Sequence, residues 1–439
     1  MVYVWFCDNF QLIIITIVFS LLYYLYYKKY RFYVFRQKDE APNPNKPRGK
    51  CPPFYPNGWY RLLNSDQLNI NEVKHFDYCG RNVVIFRGTN SKVYALDAFC
   101  SHMGANLGKG GIVKNKSCIQ CPFHGWVFDG ETGNCVVSSE SLAKKQVDQF
   151  EYHDIKEATK VDGNYLYKCY SGNVNLKKYH ARELNGTILV WFDSREEFQD
   201  NIPYEPFDLN VKLDYRGESI NYVNCHIQEI PENGADIRHF DFLHTRLFTF
   251  TSLIQFEWKM LSHRAAEEDL YEVMKHKHEF INEFKTKILK TFINESNKKY
   301  INVISLDSYV KIFGWKFFLF NATGFQLGPA LVYLFLKSKL FEVTFAQSIT
   351  PLKKFNIRVS HRIYANSYLP YFVSAFMLFS EVQQLISDML IWNNKIFGSK
   401  LSYNLKTEAD KNLISWRNWY AGFYEGCNEF EKKQEALDW

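Results

Sequence analysis

Two short stretches, Cys100-Ser-His102-Met-Gly-Ala105 and Cys121-Pro-Phe-His124-Gly-Trp126, decide how this chain is interpreted. Each stretch holds one cysteine and one histidine, and eighteen residues separate the first pair from the second. Two thiolates and two imidazoles can hold a two-iron, two-sulfur cluster, with the cysteines on one iron and the histidines on the other. The sequence therefore predicts a [2Fe-2S] cluster held by these four side chains.

A structural zinc ion is the main alternative for the same four residues. Zinc fingers usually pair cysteine with cysteine and histidine with histidine, whereas each motif here mixes the two. Glycines such as Gly104 and Gly125 permit tight turns in which backbone amides point at cluster sulfurs. We therefore favour the cluster, and we interpret Cys118 as a buried structural thiol.

The two stretches resemble the Rieske domain of oxygenases, including its aromatic Cys-Pro-Phe-His-Gly-Trp turn. Respiratory Rieske proteins carry two further cysteines, at positions where this chain has Ala105 and Phe123. The resemblance thus implies the oxygenase type of cluster, which accepts electrons from a reductase and passes them to a second centre.

Composition excludes several other classes of protein. The chain has 439 residues, 46% of them hydrophobic, and a net charge of +6 that is spread widely, so nucleic-acid binding is not expected. Ten cysteines in a chain of this length do not suggest a secreted disulfide scaffold. No G-x-G-x-x-G motif opens a helix after a strand, so the chain is not expected to bind its own dinucleotide.

The N-terminus predicts a membrane anchor. Residues 10–27 read FQLIIITIVFSLLYYLYY, with tyrosines at the end and Lys28, Lys29 and Arg31 directly after. The positive-inside rule places the rest of the chain in the cytosol, which predicts a single-pass protein of the endoplasmic reticulum. A cleaved signal peptide is the alternative, weakened by the missing basic start and the missing cleavage site.

The pattern divides the chain into a membrane anchor (1–37), a linker with six prolines (38–56), an all-β Rieske domain (57–195) and a catalytic domain (196–439). We predict strands at residues 82–86, 92–96 and 187–192 of the first domain. For the second we predict an α+β fold with an antiparallel sheet, of the helix-grip type. Its strands are predicted at 313–320, 329–336, 341–345 and 357–361, with a helix at 380–397, while 264–290 could be strand or helix.

A second metal site is indicated by His239 and His244, because two histidines and one carboxylate form the iron site of many non-haem oxygenases. Five residues turn an ideal helix by about 140°, so both imidazoles can reach one ion only if the helix ends or bulges between them. Asp236 lies three residues before His239 on the same helical side, where its carboxylate could accept a hydrogen bond from the imidazole. A solvated acid is the alternative for Asp236.

The third ligand must come from a distant part of the chain. Asp388 is preferred, because its predicted helical side also carries Leu385, Ile391 and Trp392, and a lone carboxylate there is costly unless it is paired or bound to metal. Glu381 is the rival.

The D-x-x-H-x-x-x-x-H arrangement also resembles the iron site of Rieske oxygenases. The resemblance implies a homotrimer in which Asp236 connects His239 to the cluster ligand His124 of a neighbouring protomer. It also implies that Asn233 lies near the iron, so Asp236 and Asn233 are the candidate catalytic residues besides the ligands.

Most of the chain is similar to the Neverland family of cholesterol 7-desaturases. The matching pieces include residues 102–111, 232–236 and 391–395, whereas 136–178 departs from the family pattern. The resemblance implies desaturation of cholesterol to 7-dehydrocholesterol, in steroid hormone synthesis. It implies a [2Fe-2S] cluster, a mononuclear Fe(2+), oxygen, and electrons from a separate NAD(P)H-dependent reductase.

Three other functions stay open at this stage. The chain could be a Rieske monooxygenase that hydroxylates a steroid or another hydrophobic substrate, and analysis of the product would separate this from desaturation. It could act on a tetrapyrrole. It could also be an electron-transfer protein that uses only its cluster, in which case His239→Ala would not change product formation.

Overall fold

The computed structural model describes residues 51–137, 174–195, 201–209, 213–248, 251–268, 270, 275–395 and 407–427, with the isolated positions 16, 18, 20 and 21. Apart from those four positions, the predicted membrane segment lies outside the described residues, as do most of the linker and the stretch 138–173. Among the described residues, no helix is long and apolar enough to cross a membrane.

The N-terminal domain is built from short antiparallel strands, as its alternating apolar runs predict. The described strands are β1 (Gly58–Asn64), β2 (Val73–Tyr78), β3 (Arg81–Arg87), β4 (Val93–Asp97), β5 (Ile112–Lys114), β6 (Cys118–Gln120), β7 (Val127–Asp129), β8 (Cys135–Val137), β9 (Lys178–Tyr179), β10 (Ala181–Leu184) and β11 (Thr187–Phe192). They form three sheets with the orders β1-β11-β10, β2-β3-β4-β9 and β5-β6-β7-β8. β3, β4 and β11 confirm the three strands predicted in this domain.

Strand β11 joins the two domains because it is buried on both of its faces. Successive side chains of a strand point to opposite sides. Ile188 and Val190 therefore enter a core shared with β3 and the second domain, whereas Leu189 and Trp191 enter a separate core of the second domain. The continuous apolar run in the sequence reflects this double burial.

The second domain is α+β, with one large antiparallel sheet in its described part. Its strands are β12 (Asp214–Val223), β13 (Arg246–Phe248), β14 (Thr251–Ala265), β15 (Ile301–Ile312), β16 (Trp315–Leu327), β17 (Leu331–Ser338), β18 (Glu342–Lys353) and β19 (Asn356–Ala365). The sheet has the order β12-β19-β18-β17-β16-β15-β14-β13. The helices are α1 (Glu229–Glu232), α2 (Arg238–Leu243), α3 (Glu279–Phe292), α4 (Tyr371–Trp392) and α5 (Glu408–Ala421), and short 3-10 turns lie at Ser65–Gln67, Lys298–Tyr300 and Gly422–Tyr424.

The sheet curls around helix α4. This helix contacts β12 and β13, the strands at the two ends of the sheet order, as well as β19. A flat sheet of this width could not bring both edges onto one helix, so the sheet must be strongly curved. The concave face and α4 together enclose the space in which the candidate iron ligands lie.

The predicted elements of this domain are confirmed in type and differ at their ends. Residues 313–314 form a turn before β16, and α4 begins at Tyr371, nine residues before the predicted start. Residues 264–290 contain both kinds of structure, because they include the end of β14 and most of α3.

A buried charge network ties β1 of the first domain to β12 and β19 of the second. Glu218 accepts hydrogen bonds from Arg61 (2.8 Å), Arg362 (3.2 Å) and Asn64 (2.6 Å). Burial lowers the pKa of Arg61, and the adjacent Glu218 carboxylate opposes that shift. The network fixes the two domains relative to each other, because its charges are costly to bury unless they stay paired.

Candidate active site

The two cluster motifs form loops of the same shape. In each, the cysteine amide donates to the carbonyl five residues ahead, from Cys100 to Ala105 (2.9 Å) and from Cys121 to Trp126 (2.7 Å). In each, a glycine four residues after the cysteine returns a hydrogen bond to the cysteine carbonyl, and Gly104 and Gly125 both have positive φ. Glycine is needed there because a side chain disfavours this conformation.

The donor set fits a two-iron cluster. The thiols of Cys100 and Cys121 are buried and adjacent, whereas the rings of His102 and His124 lie further out, 4.8 Å apart. Burial, together with the nearby Cys121 thiol, raises the pKa of Cys100 to about 11, and the amides of His102 and Met103 donate to the Cys100 sulfur. Cationic irons would replace the two thiol protons, and the two amides would then donate to a thiolate ligand.

A single zinc ion fits these four residues less well. Among the described residues, the group placed to hold a single ion is His239, His244 and Asp388, whose ligand atoms all lie within 4.8 Å of one another. The two cysteines lie deep in the loops and the two histidines lie further out, which suits one iron on each pair. Trp126, whose ring stacks on His102 at 4.5 Å and 5°, fixes the orientation of that imidazole.

The second site depends on where helix α2 ends. His239 lies within α2, but His244 is its C-cap, with φ −108° and ψ 24°. Trp258 holds this end in place, because its indole N–H donates to the His244 carbonyl at 2.7 Å. The break turns His244 back towards His239, and the two rings lie 4.8 Å apart at 83°. The helix end is the feature that the five-residue spacing requires.

Asp388, on helix α4, is the third candidate ligand of this metal site. Its Oδ1 lies 3.1 Å from His244 Nε2, yet this buried oxygen accepts no hydrogen bond. Two ligands about 2.1 Å from one ion at right angles are about 3 Å apart, so a shared metal ion accounts for the unpaired oxygen. Leu385 and Trp392 are buried beside it, whereas Ile391 is exposed, contrary to its predicted place on this side of the helix.

A backbone carbonyl fixes the orientation of the His239 ring. Its Nδ1 contacts the backbone carbonyl of Asp236, while the Asp236 carboxylate accepts the Arg238 amide at 3.2 Å. The sequence predicts a carboxylate contact, but Asp236 precedes α2 and its side chain turns to the first helical amide instead. Burial lowers the pKa of His239, which favours the neutral imidazole that binds metal, and the Asp388 carboxylate opposes the shift. Asn233 caps α1 and lines the same cavity.

A cavity of about 640 Å³ includes these side chains in its wall. Most of its lining comes from apolar residues on the concave face of the sheet, among them Phe256, Trp258, Ile304, Leu306, Phe320, Leu334, Leu336 and Phe345. One row that crosses the sheet is mostly polar, because His361, Gln347, Val332, Gln326 and Asn302 oppose one another on neighbouring strands. The cavity therefore suits a large apolar molecule with few polar groups.

Sequence reasoning missed His361 and considered Glu381 only as a metal ligand. The His361 Nε2 and Glu381 Oε1 atoms lie 3.5 Å apart in the cavity wall, and His361 Nδ1 is buried without a hydrogen bond. Burial lowers the pKa of His361 to about 4 and raises the pKa of Glu381 to about 7. At neutral pH the imidazole is therefore uncharged, and the two side chains form a polar contact rather than an ion pair.

Comparison with known proteins gives two family matches. Residues 58–151 match the Rieske [2Fe-2S] domain, and residues 190–424 match the 3-ketosteroid 9alpha-hydroxylase C-terminal domain. The second match alone covers more than half of the chain and includes all three convergent residues.

Relatives that align with most of the chain agree with these family matches. The chain is 32% identical to cholesterol 7-desaturase nvd of Xenopus laevis over 399 residues, which cover 89% of this chain and 77% of the relative. It is 31% identical to cholesterol 7-desaturase nvd of Drosophila melanogaster over 394 residues, which cover 89% and 80%.

Solved structures share the fold. Dicamba monooxygenase bound to dicamba superposes with a TM-score of 0.52 at 14% identity, over 85% of this chain and 98% of that one. NdmB of Pseudomonas putida CBB5 superposes with a TM-score of 0.53 at 16% identity, over 86% and 97%. At such identities the likeness concerns the fold alone.

Proposed function

We propose that this chain, which belongs to the Rieske oxygenases with a 3-ketosteroid 9α-hydroxylase-type C-terminal domain, desaturates cholesterol at the 7,8 position. The cofactors of such an enzyme are a Rieske [2Fe-2S] cluster and a mononuclear non-haem iron. When bound, these two centres supply electron transfer and oxygen activation. The proposed product is 7-dehydrocholesterol.

The observation that carries the proposal is the apolar cavity around the three convergent residues. Sterols are rigid and almost wholly apolar, and the cavity offers aromatic and aliphatic walls with a single mostly polar row. Its volume lies within the range of pockets that bury a drug-sized ligand. Relatives named cholesterol 7-desaturases, in vertebrates and insects, support the choice of substrate.

The chain's own residues have three tasks in this reaction. His239, His244 and Asp388 would hold the iron, and Cys100, Cys121, His102 and His124 would hold the cluster. The apolar walls exclude water and orient one C–H bond towards the iron. The backbone carbonyl of Asp236 contacts Nδ1 of His239 and so orients the ring, which leaves Nε2 to bind the metal.

Electrons for the proposed reaction come from a separate NAD(P)H-dependent reductase. The exposed position of His102 supports transfer at this end of the cluster, since the cysteine ligands lie deeper in the domain. Anchoring of the chain in the endoplasmic reticulum, with both domains in the cytosol, is part of the same proposal and is supported by the N-terminal sequence.

The test is to incubate membranes carrying the full chain with cholesterol, oxygen, NAD(P)H and a reductase, followed by mass spectrometry of the sterols. We expect a product two hydrogens lighter than cholesterol, with the ultraviolet absorption of a conjugated diene. His239→Ala is the control and should give no product. A stable alcohol would contradict desaturation.

Hydroxylation of a steroid is the second candidate. The match of residues 190–424 to the 3-ketosteroid 9alpha-hydroxylase C-terminal domain favours it, because that name describes a hydroxylating protein. A hydroxylated sterol or 3-ketosteroid in the same assay would support this function in place of the first.

A further inference from the structure

Three large aromatic side chains protrude at the turn between β15 and β16. Phe313, Trp315 and Phe317, which we name the aromatic tip, are 78%, 81% and 69% exposed. Phe313 and Gly314 both have positive φ, so a tight turn presents the rings rather than a long loop. Isolated exposed apolar residues are ordinary, but three within five positions form a patch that a soluble surface rarely carries.

The aromatic tip lies at one end of the cavity. Phe317 lines the cavity together with Leu340, from the turn between β17 and β18, and Phe376, from the first half of α4. Both of these residues are also exposed, as is Phe372 one turn before Phe376. Side chains that line the cavity and are also exposed mark its mouth, so the mouth is surrounded by apolar groups from three elements.

The surroundings of this mouth are basic. Two glutamates each form ion pairs with two lysines, and one further exposed lysine lies on the turn between β17 and β18. Glu257 pairs with Lys311 and Lys316, Glu342 pairs with Lys287 and Lys337, and Lys339 is the residue on the turn. In these ion pairs and on this turn, five lysine ammonium groups thus accompany two carboxylates.

We infer that the aromatic tip and the cavity mouth insert into the surface of a lipid bilayer, so that an apolar substrate passes from the membrane directly into the cavity. Exposed aromatic side chains flanked by lysines are the chemistry that partitions into the interface of an anionic membrane. The substrate part of this inference rests on the proposed function, whereas the membrane contact does not.

Insertion into the bilayer is favoured by the free energy of burying the aromatic rings, and it also gives the substrate a direct route into the cavity. Burying the rings of Phe313 and Trp315 in lipid removes apolar surface from water, and the lysines add attraction to anionic headgroups. A sterol that enters from the bilayer never has to cross water, where its solubility is very low. A mouth in the aqueous phase would instead need a carrier for the same substrate.

The contact is tested with the full chain and vesicles of phosphatidylcholine and phosphatidylserine that contain brominated lipids, which quench tryptophan at short range. Trp315→Phe keeps the apolar surface but removes the reporter. We expect the wild type to show a quenched component that Trp315→Phe lacks, although both chains bind the vesicles. Equal quenching in the two proteins would overturn the inference, and this result does not depend on any sterol reaction.

The route of the substrate is tested with Phe313→Ser/Trp315→Ser. Cholesterol delivered in vesicles should be converted about fivefold more slowly than by the wild type, while cholesterol delivered by a cyclodextrin should be converted at an unchanged rate. Ile70→Ser, which replaces an exposed apolar residue of the other domain, is the matched control and should change neither rate.

Two outcomes of these experiments would contradict the inference. Equal losses with both forms of substrate would show that the double variant damages the site rather than membrane entry. A smaller oligomer for the double variant without lipid would show that the aromatic tip contacts a second copy of the chain. If the wild type makes no sterol product at all, the proposed function fails, while the quenching result still stands.

Discussion

At the scale of single residues, the chemistry depends on which carboxylate on α4 meets the two histidines. Asp388 lies 3.1 Å from His244, whereas Glu381 lies two helical turns earlier and faces His361. Both acids line the same cavity and both are carried by the same helix. Their positions therefore give a matched pair of variants that separates metal binding from other uses of a carboxylate.

We predict that Asp388→Asn lowers iron occupancy and turnover by about a hundredfold, because it replaces a charged ligand by a weak neutral one. Glu381→Gln should keep the iron and most of the turnover. Metal analysis and product formation measure both effects. Iron retained in Asp388→Asn but lost in Glu381→Gln would assign the ligand to the rival residue.

The His361–Glu381 pair predicts two opposite dependences on pH. Because the folded-state pKa of His361 is about 4 against an ordinary 6.5, the stability tied to this group is lost as pH falls from 6.5 to 4. Because the pKa of Glu381 is about 7 against an ordinary 4.5, the stability tied to that group is gained as pH falls from 7 to 4.5.

Thermal unfolding of His361→Gln and Glu381→Gln separates the contributions of the two groups to stability. Relative to the wild type at each pH, the midpoint of His361→Gln should rise by a few degrees as pH falls from 6.5 to 4.5, because the acid-sensitive group is gone. The midpoint of Glu381→Gln should fall relative to the wild type over the same interval. Parallel curves for all three proteins would contradict the shifted pKa values.

At the scale of elements, the network around Glu218 sets how firmly β1 of the first domain is held against β12 and β19 of the second. The Glu218 side chain is 2% exposed and faces two arginines. Arg182 and Glu205 form an ion pair with comparable atoms, but the Glu205 side chain is 50% exposed. The two glutamates therefore differ mainly in burial.

We predict that Glu218→Gln lowers the free energy of unfolding by about 3 kcal/mol, because it leaves buried guanidinium groups without a countercharge. Glu205→Gln should lower it by less than about 1 kcal/mol, because water screens the exposed pair. Chemical denaturation of both variants measures the difference. Equal losses would show that burial does not decide the strength of these pairs.

The elements also show how far sequence patterns reach. β11 could be predicted because its continuous apolar run is typical of a strand that is buried on both faces. The start of α4 was missed because residues 371–379 are apolar on all sides, a composition that suits a strand as well as a helix. Pro370 at the N-cap was the available signal for that start.

The candidate site could be predicted where its residues are close in sequence. The cluster motifs and the pair His239 and His244 follow from local spacing, and the helix end between the histidines follows from geometry. His361 could not be found in this way, because the alternation of β19 does not tell which of its faces meets the cavity. Its role needs the curvature of the whole sheet.

At the scale of the whole molecule, the resemblance to Rieske oxygenases predicts a trimer in which electrons cross between protomers beside Asp236. Chains with Cys100→Ser should lack the cluster, and chains with His239→Ala should lack the iron. Each should be inactive alone. Co-expressed in one cell, they should regain turnover, because some subunit contacts pair an intact cluster with an intact iron site.

A substitution at Asp236 tells which chain of the mixed oligomer receives the electrons, because Asp236 lies close in sequence to the iron ligand His239. Asp236→Asn should abolish the regained turnover when it is placed in the chain that keeps its iron, and should leave it unchanged in the chain that lacks iron. The measurement is product formation by the mixed, purified oligomer. No regained turnover in the mixture would indicate that both centres act within one chain.

The coupling of the two metal centres to sterol desaturation is tested by a single turnover without a reductase. Full-length protein is reduced chemically, freed of reductant, and mixed with cholesterol and oxygen, while the reduced cluster is followed by electron paramagnetic resonance. We predict that 7-dehydrocholesterol forms as the signal of the reduced cluster disappears. A cluster that is oxidised while cholesterol stays unchanged, or a product that forms while the cluster stays reduced, would show that the cluster does not drive desaturation.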